Sequence, residues 1–99
     1  MNDDQQKLDG HMQRLGWGYW EPHQILARLF EEGGELARLV NHLFGPKPKK
    51  STEAEQELEM EVGDVYYTLI CFANSQGINL SEALEKCIQK GENRDVKRF

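Results

Sequence analysis

The stretch ILARLFEEGGELARLVNHLF, residues 25 to 44, decides the fold. Its apolar side chains Ile25, Leu26, Leu29, Phe30, Leu36, Ala37, Leu39, Val40, Leu43 and Phe44 recur with the 3.6-residue period of a helix. Pro22 stands where a first helical turn tolerates proline, and Gly45-Pro46 stops the pattern. Inside this helix lies FEEGGEL, residues 30 to 36, which a sequence selected for helix stability alone would avoid. Each interior glycine costs roughly 0.5–1 kcal/mol relative to alanine. Glu35 has like-charge neighbours in both Glu31 and Glu32, and each such pair costs roughly a few tenths of a kcal/mol.

Outward from this helix, the chain reads as three more helices separated by short breaks. Toward the N-terminus, Leu8, Met12 and Leu15 carry a helix from about Asp4 to Leu15, ended by Gly16 and the stretch WGYW. Toward the C-terminus, GPKPKK at 45 to 50 is a turn and linker in which two prolines forbid helix continuation. Thr52 followed by Glu55 is a capping-box pattern. It opens a third helix carried by Leu58, Val62, Val65, Leu69, Phe72 and Ala73 to about Ser75, with Gly77 as its C-terminal cap. Ser81 then caps a fourth helix through Ala83, Leu84, Cys87 and Ile88, with Gly91 as an interruption or end. No strand pattern is found. The expected fold is a single all-α domain over residues 1–99, an antiparallel four-helix bundle-like protomer whose second and third helices pack side by side. So thin a core calls for oligomerisation.

Composition narrows the function. The chain has 99 residues, 38% hydrophobic and 29% charged, the balance of a globular domain. No run approaches the roughly 18 apolar residues of a membrane helix, and the N-terminus MNDDQQKLDG is acidic and polar. Membrane insertion and secretion are therefore not expected, and a cytoplasmic location is. Cys71 and Cys87 lie within apolar helical patterns and read as reduced core thiols. With 17 acidic and 12 basic side chains the net charge is −5, which argues against a nucleic-acid partner. An anionic ligand would need a divalent metal as intermediary.

The acidic residues supply the ligands for one. On the helical wheel Glu32 lies about 20° from Ile25, at the edge of the apolar face, and Glu35 about 60° further round. The third helix repeats the arrangement, with Glu61 about 20° from Phe72 and Asp64 about 60° beyond it. Packed antiparallel, the two helices would bring four carboxylates together, and such a cluster requires a cation. A plainer reading competes: Arg28 pairs with Glu31 or Glu32, Arg38 pairs with Glu35, and the whole is a solvated stripe. Glycines 33 and 34 favour the first reading, because they would let a neighbouring helix or ligand approach the backbone. No histidine is spaced to join the carboxylates, since Leu8, Trp20 and Leu39 stand three residues before His11, His23 and His42. Oxygen-only ligands favour magnesium, with manganese as a substitute.

On the fourth helix Lys86, Lys90, Asn93, Arg94 and Lys97 fall within about 100° of one another, away from the apolar face. This is either a solvated face paired with Glu82, Glu85 or Glu92, or a phosphate-binding stripe. Together, EEGGEL at 31 to 36, EVGDV at 61 to 65 and the K-x-x-x-K-x-x-x-R spacing of Lys86, Lys90 and Arg94 resemble the motif set of the MazG-like nucleoside triphosphate pyrophosphohydrolases. The resemblance spans about residues 25 to 95. It implies an all-α fold, magnesium-dependent cleavage of a nucleoside triphosphate between the α and β phosphates to give a monophosphate and pyrophosphate, a house-cleaning role, and homodimers or homotetramers. By the same resemblance Glu32, Glu35, Glu61 and Asp64 match the metal ligands. Glu31 would bind a second ion or orient the attacking water, and Lys86, Lys90 and Arg94 would contact phosphates. Two alternatives stand beside it. One is a phosphoribosyl-ATP pyrophosphohydrolase-like enzyme, whose EE motif usually follows a lysine and lacks the GEL continuation. The other is a non-catalytic helical interaction or oligomerisation module. Trp17, Tyr19 and Trp20 read either as a stacking surface for a base or as core and interface. Asn74 and Asn79 read either as substrate contacts or as residues that cap and turn the backbone near Gly77.

Overall fold

The structure is a computed structural model that describes residues 1–45 and 52–98, with side chains described at 1–45 and 56–94. It contains four helices, α1 (Asp3–Leu15), α2 (Pro22–Phe44), α3 (Thr52–Ser75) and α4 (Leu80–Arg98), and no strand among the described residues. The all-α expectation holds, and the helix borders fall close to where the sequence places them. The linker at 46–50 and the capping box of Thr52 and Glu55 lie outside the described residues and side chains.

Each described border has a local cause. Asn2 caps α1 by accepting the Gln5 N–H on its side chain at 2.9 Å, while the Gln5 side chain accepts the Asn2 N–H at 3.1 Å. Gly16, at φ 71°, ends that helix: its own N–H reaches Gln13 O at 3.0 Å and the Trp17 N–H reaches Met12 O at 2.9 Å. Gly77, at φ 66°, closes α3 in the same way, with the Ile78 N–H on Ala73 O at 2.9 Å. Both left-handed positions are ones that glycine adopts without strain. The cap of α4 is Asn79, not Ser81: its side chain accepts the Glu82 N–H at 3.1 Å, and Ser81 already lies inside the helix. Gly91 neither ends nor interrupts α4, which continues to Arg98.

The principal packing is α2 on α3, with α1 laid on α3. Glu32 of α2 meets Asp64 of α3, while Ile25 and Cys71 share the same cavity wall, so the two helices run in opposite directions. On α1, Gln5 bonds Asn74 and Met12 meets the Tyr67 hydroxyl, which makes that helix antiparallel to α3 as well. Leu8, Met12 and Ile70 form a buried cluster, flanked by Tyr19, Cys71 and Leu80. Along α2 the buried positions are Ile25, Glu32 and Leu39, seven residues apart each time. The apolar period centres the face near the direction shared by Ile25, Leu36 and Val40; the buried line runs about 40° away from it, and Val40 is exposed. Glu32 is consequently in the middle of the buried face and not at its edge.

Much apolar surface is left uncovered. Phe30 and Phe44 are 74% and 75% exposed, and Leu84 and Ile88 of α4 are exposed too. The radius of gyration is 16.8 Å, against about 13 Å for a compact chain of this length. Cys71 is half-buried and Cys87 exposed, both free thiols, so only the first approaches the expected core position.

Candidate metal centre

The seam between α2 and α3 collects three of the four carboxylates expected there. Glu32 projects from the buried line of α2, and Glu61 and Asp64, one helical turn apart, project from α3. Oxygens of all three lie within 4.8 Å of one another. Glu32 is 5% exposed. One of its oxygens, Oε1, accepts from Arg28 Nη2 at 2.9 Å. The other, Oε2, is buried with no hydrogen-bond partner, and so is Oε2 of Glu61. Burial raises the Glu32 carboxyl above its ordinary pKa; Arg28 opposes that shift, and the charges of Glu35, Asp64 and Glu61 reinforce it. A buried carboxylate oxygen without a donor costs about 1–3 kcal/mol or more. Two such oxygens within a cluster of three carboxylates form a cradle that a hard cation would satisfy. Thr68, buried one turn beyond Asp64, returns its hydroxyl to the Asp64 carbonyl at 2.9 Å and ties down the backbone behind the cluster.

The cluster opens into a cavity of about 750 Å³. Glu32 and Asp64 sit on its wall beside Arg28 and Thr68, and Trp17 and Trp20 lie across from them in the α1–α2 loop. Those two indoles are 59% and 61% exposed, so neither is a core residue of the protomer. Tyr19, between them, holds the loop. Its hydroxyl donates to Asp9 Oδ1 at 2.6 Å and accepts from Asn74 Nδ2 at 2.9 Å. Burial, followed by the bond to Asp9, pushes its pKa up to about 12.

The remaining sequence candidates are distributed differently. Glu31 is exposed and pairs with Arg28 at 3.5 Å, outside the cluster. Glu35 is exposed and also outside it, although its charge is felt at Glu32. The paired-stripe reading is therefore correct for Arg28, whose guanidinium spans Glu31 and Glu32, and it coexists with the carboxylate cluster. Lys86, Lys90 and Arg94 are exposed on α4, which contributes nothing to the described cavity wall. Asn74 does not line the cavity. Its amide is held by Gln5 and Tyr19, donating to Gln5 O at 3.1 Å and accepting from Gln5 Nε2 at 2.9 Å. Glycines 33 and 34 leave α2 unbroken, and nothing lies within 4 Å of where a Cβ would sit on either. The close approach they were expected to permit is not made within this chain. Tyr67, Thr68 and Cys71 also line the cavity without standing out in the sequence, although they follow Asp64 at three, four and seven residues, the spacings that share a helix face.

Comparison with known proteins agrees with this geometry. Residues 20–99 match the model of the MazG nucleotide pyrophosphohydrolase domain. The chain belongs to that family. It is 46% identical over its 99 residues to YpjD of Bacillus subtilis, covering 100% of this chain and 89% of YpjD. It is 34% identical to YvdC of the same organism over 79 residues, 74% of each chain. The crystal structure of YpjD superposes with a TM-score of 0.81 at 44% identity, covering 95% of this chain and 94% of that one. A MazG protein conserved in Bacillus, described as a nucleotide pyrophosphohydrolase, superposes with a TM-score of 0.76 at 40% identity, over 89% and 84% of the two chains. This MazG-family chain is accordingly a nucleotide pyrophosphohydrolase, and its acidic seam is the candidate for the family's metal-dependent chemistry. No helix among its described residues is long and apolar enough to cross a membrane.

Proposed function

We propose that this protein is a magnesium-dependent nucleoside triphosphate pyrophosphohydrolase that cleaves between the α and β phosphates, releasing a nucleoside monophosphate and pyrophosphate. The observation that carries the proposal is the pair of buried, unpartnered oxygens on Glu32 and Glu61, clustered with Asp64 at the edge of a cavity that Glu32 and Asp64 line and that is large enough for a nucleotide. The donor set is oxygen only, which suits magnesium or manganese. Glu32, Glu61 and Asp64 would hold the ion, and Glu35, one helical turn after Glu32, would complete the set. The ion supplies positive charge to the polyphosphate and acidity to water.

The protein's own groups do the rest. Glu31, exposed beside the cluster, orients the attacking water and takes its proton on a carboxylate oxygen. Trp17 and Trp20 stack on the base, at a height fixed by Tyr19. Lys86, Lys90 and Arg94 contact phosphates. Because no described residue of α4 lines the cavity, that contact asks for the α4 of a second copy. A homodimer or homotetramer would also cover Phe30, Phe44 and Leu84.

The test is pyrophosphate release from a panel of standard and modified nucleoside triphosphates, with and without magnesium, for the native protein and for Asp64→Ala. The expected result is magnesium-dependent release that falls by about three orders of magnitude in the variant, the several kcal/mol that a metal centre supplies. Circular dichroism should show its helicity unchanged. Equal release from both proteins would remove Asp64 from the reaction.

A further inference from the structure

Arg28 has a place in the site that the metal-ligand reading leaves unexplained. Among the described residues lining the cavity it is the only cation. Its guanidinium is shared between Glu32 Oε1, at 2.9 Å, and Glu31 Oε2, at 3.5 Å. The side chain is 52% exposed while that of Glu32 is 6% exposed, so a mobile, half-solvated cation is bound to a fixed, buried anion. The fixed anion is also one of the three groups within 4.8 Å that converge on the metal position.

We propose that Arg28 is a resident counter-cation: it neutralises Glu32 while the metal is absent, yields Glu32 when the metal binds, and then turns to the polyphosphate of the substrate in the same cavity. The inference rests on the metal-centre reading above and adds a role for a residue outside it. Two charges of like sign cannot share Glu32 at contact distance without repulsion. The guanidinium, on a long exposed stem one turn before Glu32, is the partner free to move. Its new partner is present at that stage, because a triphosphate carries more negative charge than one divalent ion offsets. A guanidinium fork fits phosphate oxygens by two parallel hydrogen bonds. Among the described residues the wall offers the phosphates no other cation, whereas its remaining charged groups, Glu32 and Asp64, repel them.

This role differs from that of a group that merely holds Glu32 in shape, and the two predict opposite effects on metal affinity. The experiment is a calorimetric titration of manganese into the metal-free native protein, Arg28→Met and Arg28→Lys, with no nucleotide present. It is followed by titration of inorganic tripolyphosphate into each protein saturated with manganese. Arg28→Met should bind manganese about tenfold more tightly than the native protein, the size of a typical coupling between two sites. It should then bind tripolyphosphate about tenfold more weakly, the loss of one charge-assisted contact. Arg28→Lys should lie between the two for manganese and lose part of the tripolyphosphate affinity, since an ammonium retains the charge without the fork. The melting temperature of Arg28→Met should fall below that of the native protein in chelator, and the gap should close at saturating manganese. If the variant is unfolded in chelator, the tripolyphosphate titration on the manganese-saturated protein still decides. Unchanged or weaker manganese binding by Arg28→Met, or unchanged tripolyphosphate binding, would overturn the role. A native protein that binds no manganese would instead overturn the metal-centre reading, and this inference with it.

Discussion

Two buried polar sites in this chain are built on opposite terms. Gln5 on α1 is fully buried, and both ends of its amide are bonded. Oε1 accepts from the N–H groups of Asn2 and Leu80, at 3.1 and 2.8 Å, while Nε2 donates to Asn74 Oδ1 and Ile78 O, at 2.9 and 2.7 Å. Glu32 on α2 is nearly as buried, yet one of its oxygens has no partner, and Glu61 beside it repeats the deficit. The first site joins α1 to the α3–α4 turn and asks for nothing more. The second is costly as it stands, and a cation would offset that cost. Burial alone therefore says little about a polar group's role; the count of satisfied bonds separates a structural joint from a binding site.

The comparison can be broken at either end. The largest effect on stability is expected at the joint. Gln5→Leu removes the partner of the Leu80 N–H and the Ile78 carbonyl at once, and should lower stability by about 2–4 kcal/mol. Denaturant unfolding would measure it, and metal binding by the folded fraction should be unaltered. A loss below about 0.5 kcal/mol, the range of ordinary surface substitutions, would mean that the joint is not structural.

At the seam the sign should reverse. In metal-free buffer, Glu32→Gln replaces a buried charge by a neutral group of the same shape, and should raise stability by about 1 kcal/mol while abolishing the gain from added magnesium. Thermal melts with and without magnesium give both numbers. A variant that is less stable without metal yet still stabilised by magnesium would place the ion elsewhere.

A smaller effect follows with pH. The folded-state pKa of Glu32 is raised, so its contribution to metal-free stability is fully present below the ordinary carboxylate range and is lost as pH rises through the raised value. Arg28 opposes this shift, and Glu35, Glu61 and Asp64 reinforce it. Metal binding requires the deprotonated carboxylate, so the melting shift caused by magnesium should grow as pH rises through the raised value. A shift that shrank as pH rose would argue against Glu32 as a ligand.

The sequence carries these two regions unequally. The helices were legible because apolar period, glycine caps and the Gly45-Pro46 break all act locally, at Gly16 and Gly77 above all. The acidic seam was legible because Glu61 and Asp64 repeat on α3 the i, i+3 spacing of Glu32 and Glu35, and an antiparallel pairing brings the two helices face to face. The depth of Glu32 is not, because the apolar period, centred near the direction of Ile25, Leu36 and Val40, puts it at the edge of the buried face, whereas long-range packing selects the line of Ile25, Glu32 and Leu39. Gln5 was invisible for the same reason. Its place in the Asn2 capping box is local, but its burial is not, and only the return of the chain at Asn74, Ile78 and Leu80 gives it the remaining partners. Arg28 was read correctly as a salt-bridge partner, but its position on the cavity wall depends on α3 and the loop at 16–21.

The most direct test of the metal centre is anomalous diffraction from crystals soaked in manganese. The account predicts a peak between α2 and α3 within about 2.0–2.3 Å of carboxylate oxygens from Glu32, Glu61 and Asp64, the distance expected for a hard divalent ion on oxygen. Manganese bound elsewhere, with the Glu32 and Glu61 oxygens still without a partner, would contradict it.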